Sequence, residues 1–146
     1  MPALRVATPP VDPRSPRRSS AWPDLSHLTV AVVEDAVDTR FLISDVLRHC
    51  GAAVVTYESG EAAIKDVSAS FPSLFVCDLA MPGGNGLGFM RRVRQLPPER
   101  GGAVPAIAIS AFYEAASEAG YTAYLPKPVD IDRLCGLVSD LARRAA

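Results

Sequence analysis

Cysteine is scarce in this chain of 146 residues, with Cys50, Cys77 and Cys135 its only three. They are too few and too scattered for a disulfide framework or a thiolate zinc site, so each is expected as a small buried hydrophobe. Histidine is scarcer still, at two residues. His49 falls in the last turn of an expected helix, where a cation suits the C-terminus, and His27 lies in the N-terminal arm. Long apolar runs are missing: none approaches the roughly 18 to 20 residues that cross a bilayer, and no apolar stretch follows the N-terminus as in a secretory signal. A cytoplasmic protein without membrane attachment is expected. Charge of one sign is not in excess either. Fifteen basic residues against sixteen acidic ones leave a net charge of −1, which offers no long-range attraction to nucleic acid. No period of roughly 20 to 50 residues repeats, which excludes a solenoid.

What is present divides near residue 28. Six of the thirteen prolines (Pro2, Pro9, Pro10, Pro13, Pro16, Pro23) fall in the first 26 residues, beside Arg14, Arg17, Arg18 and several serines. Residues 1–27 therefore read as a disordered arm, either simply solvated or docking on something acidic. Residues 28–146 read as one domain that alternates short apolar runs with amphipathic stretches, the pattern of a parallel α/β sheet with helices on both faces. Strands are expected at Thr29–Val33, Ala53–Tyr57, Leu74–Cys77, Ala106–Ile109 and Ala123–Leu125, each buried on both faces. Helices are expected at Val37–Cys50 before Gly51, Gly60–Ala69 after Ser59 as N-cap, Leu87–Leu96 before Pro97-Pro98, and about Ile131–Arg144 from Asp130. In the last, Leu134, Leu137, Val138 and Leu141 make one apolar face.

The polar residues occupy telling positions. Glu34 and Asp35 follow the first run, Asp78 the third, Ser110 the fourth and Lys127 the fifth, and the carboxyl ends of parallel strands share one edge of the sheet. These groups should converge, and like charges gathered without a cation would cost several kcal/mol. Hard oxygen donors without imidazole or thiolate point to magnesium or manganese. Thirteen of the fifteen basic residues are Arg, yet Lys stands at 127, where a compact point charge reaches a single oxygen. Taken singly, any of these acids is as well explained as a helix cap or turn residue. The loop after Asp78 holds Gly83, Gly84, Gly86 and Gly88, but neither G-x-G-x-x-G nor G-x-x-x-x-G-K-[ST] fits them, so no nucleotide cradle is expected.

Together, Glu34-Asp35, Asp78-Leu79-Ala80-Met81-Pro82 with Gly86, Ser110-Ala111 and Lys127-Pro128 resemble the receiver domain of bacterial two-component response regulators over about residues 28–144. The resemblance implies a flavodoxin-like fold, a doubly wound five-stranded parallel sheet in the order 2-1-3-4-5. It implies that Asp78 accepts a phosphoryl group from a histidine kinase or histidine phosphotransferase. Glu34, Asp35, Asp78 and the carbonyl of Ala80 would hold Mg²⁺ or Mn²⁺, and Ser110 and Lys127 would contact the phosphoryl oxygens. Tyr124 would be the aromatic that turns inward on activation, and the Lys127–Pro128 peptide would be cis. On its own residues, Tyr124 reads equally as a half-buried packing residue and Ser110 as a cap.

Three departures qualify the match. The acidic pair is Glu-Asp rather than Asp-Asp, serine replaces the usual threonine at 110, and the span from Ser110 to Lys127 is short. The short span leaves about Tyr113–Ala119 for a fourth helix, expected to be short, mobile or partly unwound because its alanines offer little apolar area. The chain ends soon after the fifth helix, and a single-domain receiver without an output domain is expected, monomeric or weakly dimeric. It would act by switching protein contacts. A phosphatase or phosphotransferase turning over through an aspartyl phosphate would want an acid two residues after Asp78, where Ala80 stands, so slow self-dephosphorylation rather than enzymatic turnover is expected. A receiver-like binding module that is never phosphorylated is the remaining alternative.

Overall fold

The computed structural model describes residues 22–67, 69–79, 85–110 and 113–145. Strands β1 (Thr29–Val33), β2 (Ala53–Tyr57), β3 (Leu74–Asp78), β4 (Ala106–Ile109) and β5 (Ala123–Leu125) alternate with helices α1 (Val37–His49), α2 (Gly60–Val67), α3 (Asn85–Arg94), α4 (Tyr113–Ala119) and α5 (Ile131–Ala145). All strand pairs are parallel, in the order β2-β1-β3-β4-β5. This is the flavodoxin-like arrangement that the resemblance implies; apolar β-branched runs favour the strands, and each helix returns the chain to the same edge.

The sheet separates two cores. Val30, Val32, Leu74, Val76, Ile107 and Ile109 face α1 and α5, joining Ile43, Leu47, Leu134 and Val138. The alternate residues Ala31, Val33, Phe75, Cys77, Ala106 and Ala108 face α2, α3 and α4, with Phe89, Met90 and Val93. The period of two along each strand produces this division. On the second face the rings of Phe75 and Phe89 meet edge to face at 5.3 Å between centroids. All three cysteines are buried and free, as anticipated. Ser59 Oγ accepts the N–H of Ala62 at 3.1 Å, and Asp130 Oδ1 accepts that of Arg133 at 3.2 Å, so both expected caps are made.

Four expectations need correction. The arm does not extend to residue 27: from Trp22 the chain packs along α5, with Trp22, Leu25 and Leu28 buried in the first core. The Trp22 indole donates to the Asp132 carboxylate, and the Leu25 N–H donates to the Cys50 carbonyl at 2.7 Å. Residues 1–21 lie outside the described residues. Strand β2 is not buried on both faces; it is an edge strand, and Val55 remains 40% exposed because the eight-residue α2 is too short to cover it. The helix expected at Leu87 begins at Asn85. Finally, α4 has the short length expected, seven residues, yet is continuous, with Ala116 and Ala119 buried against the second core. Small side chains let its backbone approach the sheet closely, which composition alone conceals. No helix among the described residues is long and apolar enough to cross a membrane.

Candidate functional site

The register brings the polar residues to one edge. Asp78 is the last residue of β3 and pairs with Ile109, whose β5 neighbour is Leu125. Ser110 stands one residue beyond Ile109, and Lys127 two beyond Leu125. The N–H of Ser110 donates to the Leu125 carbonyl at 3.0 Å, and that of Glu34 to the Tyr57 carbonyl at 3.0 Å, so the ladder continues just past the strands and fixes the backbone that carries these side chains.

Glu34, Asp35 and Asp78 meet, with one carboxylate oxygen from each lying within 4.8 Å of the others. Glu34 is 1% exposed and Asp78 5%, whereas Asp35 faces solvent at the mouth. Lys127 Nζ donates to Asp78 Oδ2 at 3.0 Å while its stem remains partly exposed. Glu34 divides its two oxygens: Oε2 accepts the N–H of Ala36 at 3.1 Å, and Oε1 is buried without a hydrogen-bond partner. Ser110 is buried beside the acids' strand ends, and the Lys127–Pro128 peptide is cis. Tyr124 is half-buried in β5, paired with Ala108. Ala80 lies outside the described residues.

The electrostatics follow from this burial. Three carboxylates face one ion-paired ammonium, so the cluster holds excess negative charge. Glu34 responds most: desolvation first, then the Asp78 and Asp35 carboxylates, raise its pKa from 4.5 to about 7, against the pull of the Ala36 N–H. Hard anionic oxygens converging at this spacing, one of them buried and unpartnered, are a donor set for a divalent cation that prefers oxygen.

Two further residues take part in the site's architecture. Arg40 Nη1, from the first turns of α1, donates to the Glu34 carbonyl at 2.8 Å and holds the corner between β1 and α1. Its place at the fourth residue of α1 was a legible signal, since one turn of helix brings it back beside the strand end. Behind Asp78, the Tyr121 hydroxyl donates to the Gly86 carbonyl at 2.7 Å. No pattern in the sequence announces that contact. The rim carries apolar surface on α1, where Val37 is 65% and Phe41 67% exposed, one turn apart.

The profile of the response regulator receiver domain family matches residues 30–139. An uncharacterized 14.6 kDa protein of Leptolyngbya boryana is 37% identical over 119 residues, covering 78% of this chain and 89% of that protein. The DNA-binding transcriptional regulator NtrC of Klebsiella pneumoniae is 30% identical over 112 residues, covering 73% of this chain but only 23% of NtrC. Among solved structures, a response regulator structure from Chloroflexus aurantiacus superposes with a TM-score of 0.74 at 29% identity, covering 80% of this chain and 98% of that one.

Proposed function

The chain belongs to the response regulator receiver domain family, and from that premise we propose that it is a Mg²⁺-dependent phosphoacceptor in which Asp78 takes a phosphoryl group from the phosphohistidine of a kinase or phosphotransferase. The observation that carries this reading is Asp78 itself, buried at a strand end, in contact with Lys127 at 3.0 Å and gathered with Glu34 and Asp35. An Asp78 oxygen attacks phosphorus in line, the P–N bond to the donor imidazole breaks, and the imidazole leaves as the P–O bond forms. The attack brings negative oxygen toward negative oxygen, so positioning and cations supply the acceleration. Lys127 would follow a phosphoryl oxygen once Asp78 is phosphorylated, and the Ser110 hydroxyl would donate to another. Glu34, Asp35 and Asp78, with the carbonyl of Ala80, would hold Mg²⁺, or Mn²⁺ in its place; the ion supplies charge neutralisation at the phosphoryl oxygens.

The donor must bring its imidazole to the mouth of the site, so its docking surface borders that mouth. Exposed Val37, Phe41 and Leu42 on α1 offer apolar area there, suited to a helix of the donor. A donor phosphorylated from ATP places the reaction in the cytoplasm. Turnover as a phosphatase is not favoured, because the residue two beyond Asp78 is Ala80 and brings no acid to the leaving group. The adduct should therefore persist for well over seconds. Incubation with acetyl phosphate and Mg²⁺, followed by intact-mass measurement, should show one phosphoryl group on the wild type and none on Asp78→Asn. An adduct that survives the substitution would overturn the assignment.

A further inference from the structure

Tyr121 lies on the link between α4 and β5, outside the acidic cluster, and is 8% exposed. Gly120 ends α4 at a φ of +102°, and its carbonyl accepts Arg94 Nε at 2.8 Å. The same guanidinium donates to the carbonyls of Gly102 at 3.0 Å and Val104 at 2.7 Å, so Arg94 ties the peptide before Tyr121 to the segment that leads into β4. The Tyr121 N–H donates back to Ala116 at 3.1 Å. The ring has little freedom, and its hydroxyl donates to the Gly86 carbonyl at 2.7 Å beside the buried Cys77 thiol.

Those two groups flank Asp78. Cys77 precedes it in β3. Gly86 opens onto it, since a Cβ there would stand 2.8 Å from the Asp78 carbonyl oxygen and 3.0 Å from Leu79 Cα. Gly86 thus packs directly on the peptide that leaves Asp78. Burial raises the Tyr121 pKa well above its ordinary value of 10, so the hydroxyl remains protonated as a donor at any working pH. Most hydroxyls so placed merely satisfy a helix end. This one holds the Gly86 backbone that packs on the peptide leaving Asp78, from a link that Arg94 anchors.

We infer that Tyr121 is a positioning residue for the phosphoacceptor: by holding the Gly86 carbonyl, whose residue packs on the peptide after Asp78, it sets the backbone of Asp78 at the spacing that the divalent cation requires. The inference rests on the acceptor assignment only for its kinetic arm. Its other arm, Mg²⁺ affinity, is independent of phosphorylation. Tyr121→Phe removes the hydroxyl and retains the ring. One net buried hydrogen bond corresponds to about a fivefold change in an equilibrium, so Tyr121→Phe should bind Mg²⁺ about fivefold more weakly and react with acetyl phosphate more slowly at subsaturating Mg²⁺. Tyr57→Phe, which removes an exposed hydroxyl bond to Asp66 of 2.7 Å, should leave Mg²⁺ affinity unchanged. In the wild type, the carbonyl ¹³C resonance of Gly86 should shift on Mg²⁺ titration along the same binding curve as the Asp78 carboxylate. Loss of thermal stability in Tyr121→Phe with unaltered Mg²⁺ affinity would overturn the inference, as would a Gly86 resonance indifferent to Mg²⁺; no adduct on the wild type would overturn the acceptor reading alone.

Discussion

Glu34 shows how the site opposes the fold that builds it. Its carboxyl is held protonated to about pH 7 in the native state, against an ordinary value of 4.5, chiefly because burial disfavours the anion. A raised carboxyl pKa means that the native state binds more protons than the unfolded chain across this window. Stability then falls as pH rises from about 4.5 to 7, by on the order of 2 to 3 kcal/mol. In metal-free protein, urea midpoints measured at several pH values should decline across that interval, and Glu34→Gln should flatten the decline. A cation must displace the proton, so Mg²⁺ affinity should weaken below pH 7; calorimetry in two buffers of different ionisation enthalpy should detect proton release. The acids and Lys127 were legible in the sequence because each follows a strand-like run and parallel strands end together. The asymmetry between Glu34 and Asp35 was not. Which neighbour is buried depends on how the backbone turns after Val33, with Arg40 drawing the Glu34 carbonyl toward α1.

Among the elements, the strands and the long helices were read within about two residues, because two-residue and 3.6-residue periods are local properties. The segment from Trp22 to His27 was misread for the opposite reason. Its proline and charge suggest an arm, while Trp22 and Leu25 find their partners on α5 and at Cys50, more than a hundred residues and about two dozen residues away. Sequence composition cannot register a docking site that distant. Trp22 is the chain's single tryptophan, so the packing has its own optical reporter. Trp22→Ala should cost about 3 to 5 kcal/mol, the range for removing a large buried aromatic, read from denaturation followed by circular dichroism. In the wild type, indole fluorescence should red-shift in the same cooperative transition; an indole already solvent-relaxed in the native protein would contradict the docking.

For the molecule as a whole, the central fact is a sheet with separate apolar layers on its two sides. Ile43 lies in the layer with α1 and α5, and Met90 in the layer with α3. Ile43→Val and Met90→Leu should each cost no more than about 1.5 kcal/mol, and the double variant should match their sum within about 0.5 kcal/mol, because the two lie in different layers. A larger discrepancy in urea denaturation would show that β1 and β3 transmit strain from one layer to the other. The sheet order was legible only through resemblance. Alternation of strands and helices restricts the chain to a doubly wound topology, but nothing local dictates that β1 sits between β2 and β3.

Gly86 gives this architecture an unusual mutational signature. A methyl group there would strike the Asp78 carbonyl oxygen first, then Leu79 Cα and the end of the Leu79 side chain. The main-chain atoms among them can yield only by carrying Asp78 with them. A library selected for soluble expression and one selected for phosphoryl uptake should therefore disagree at this position, the first admitting alanine and serine where the second returns glycine alone.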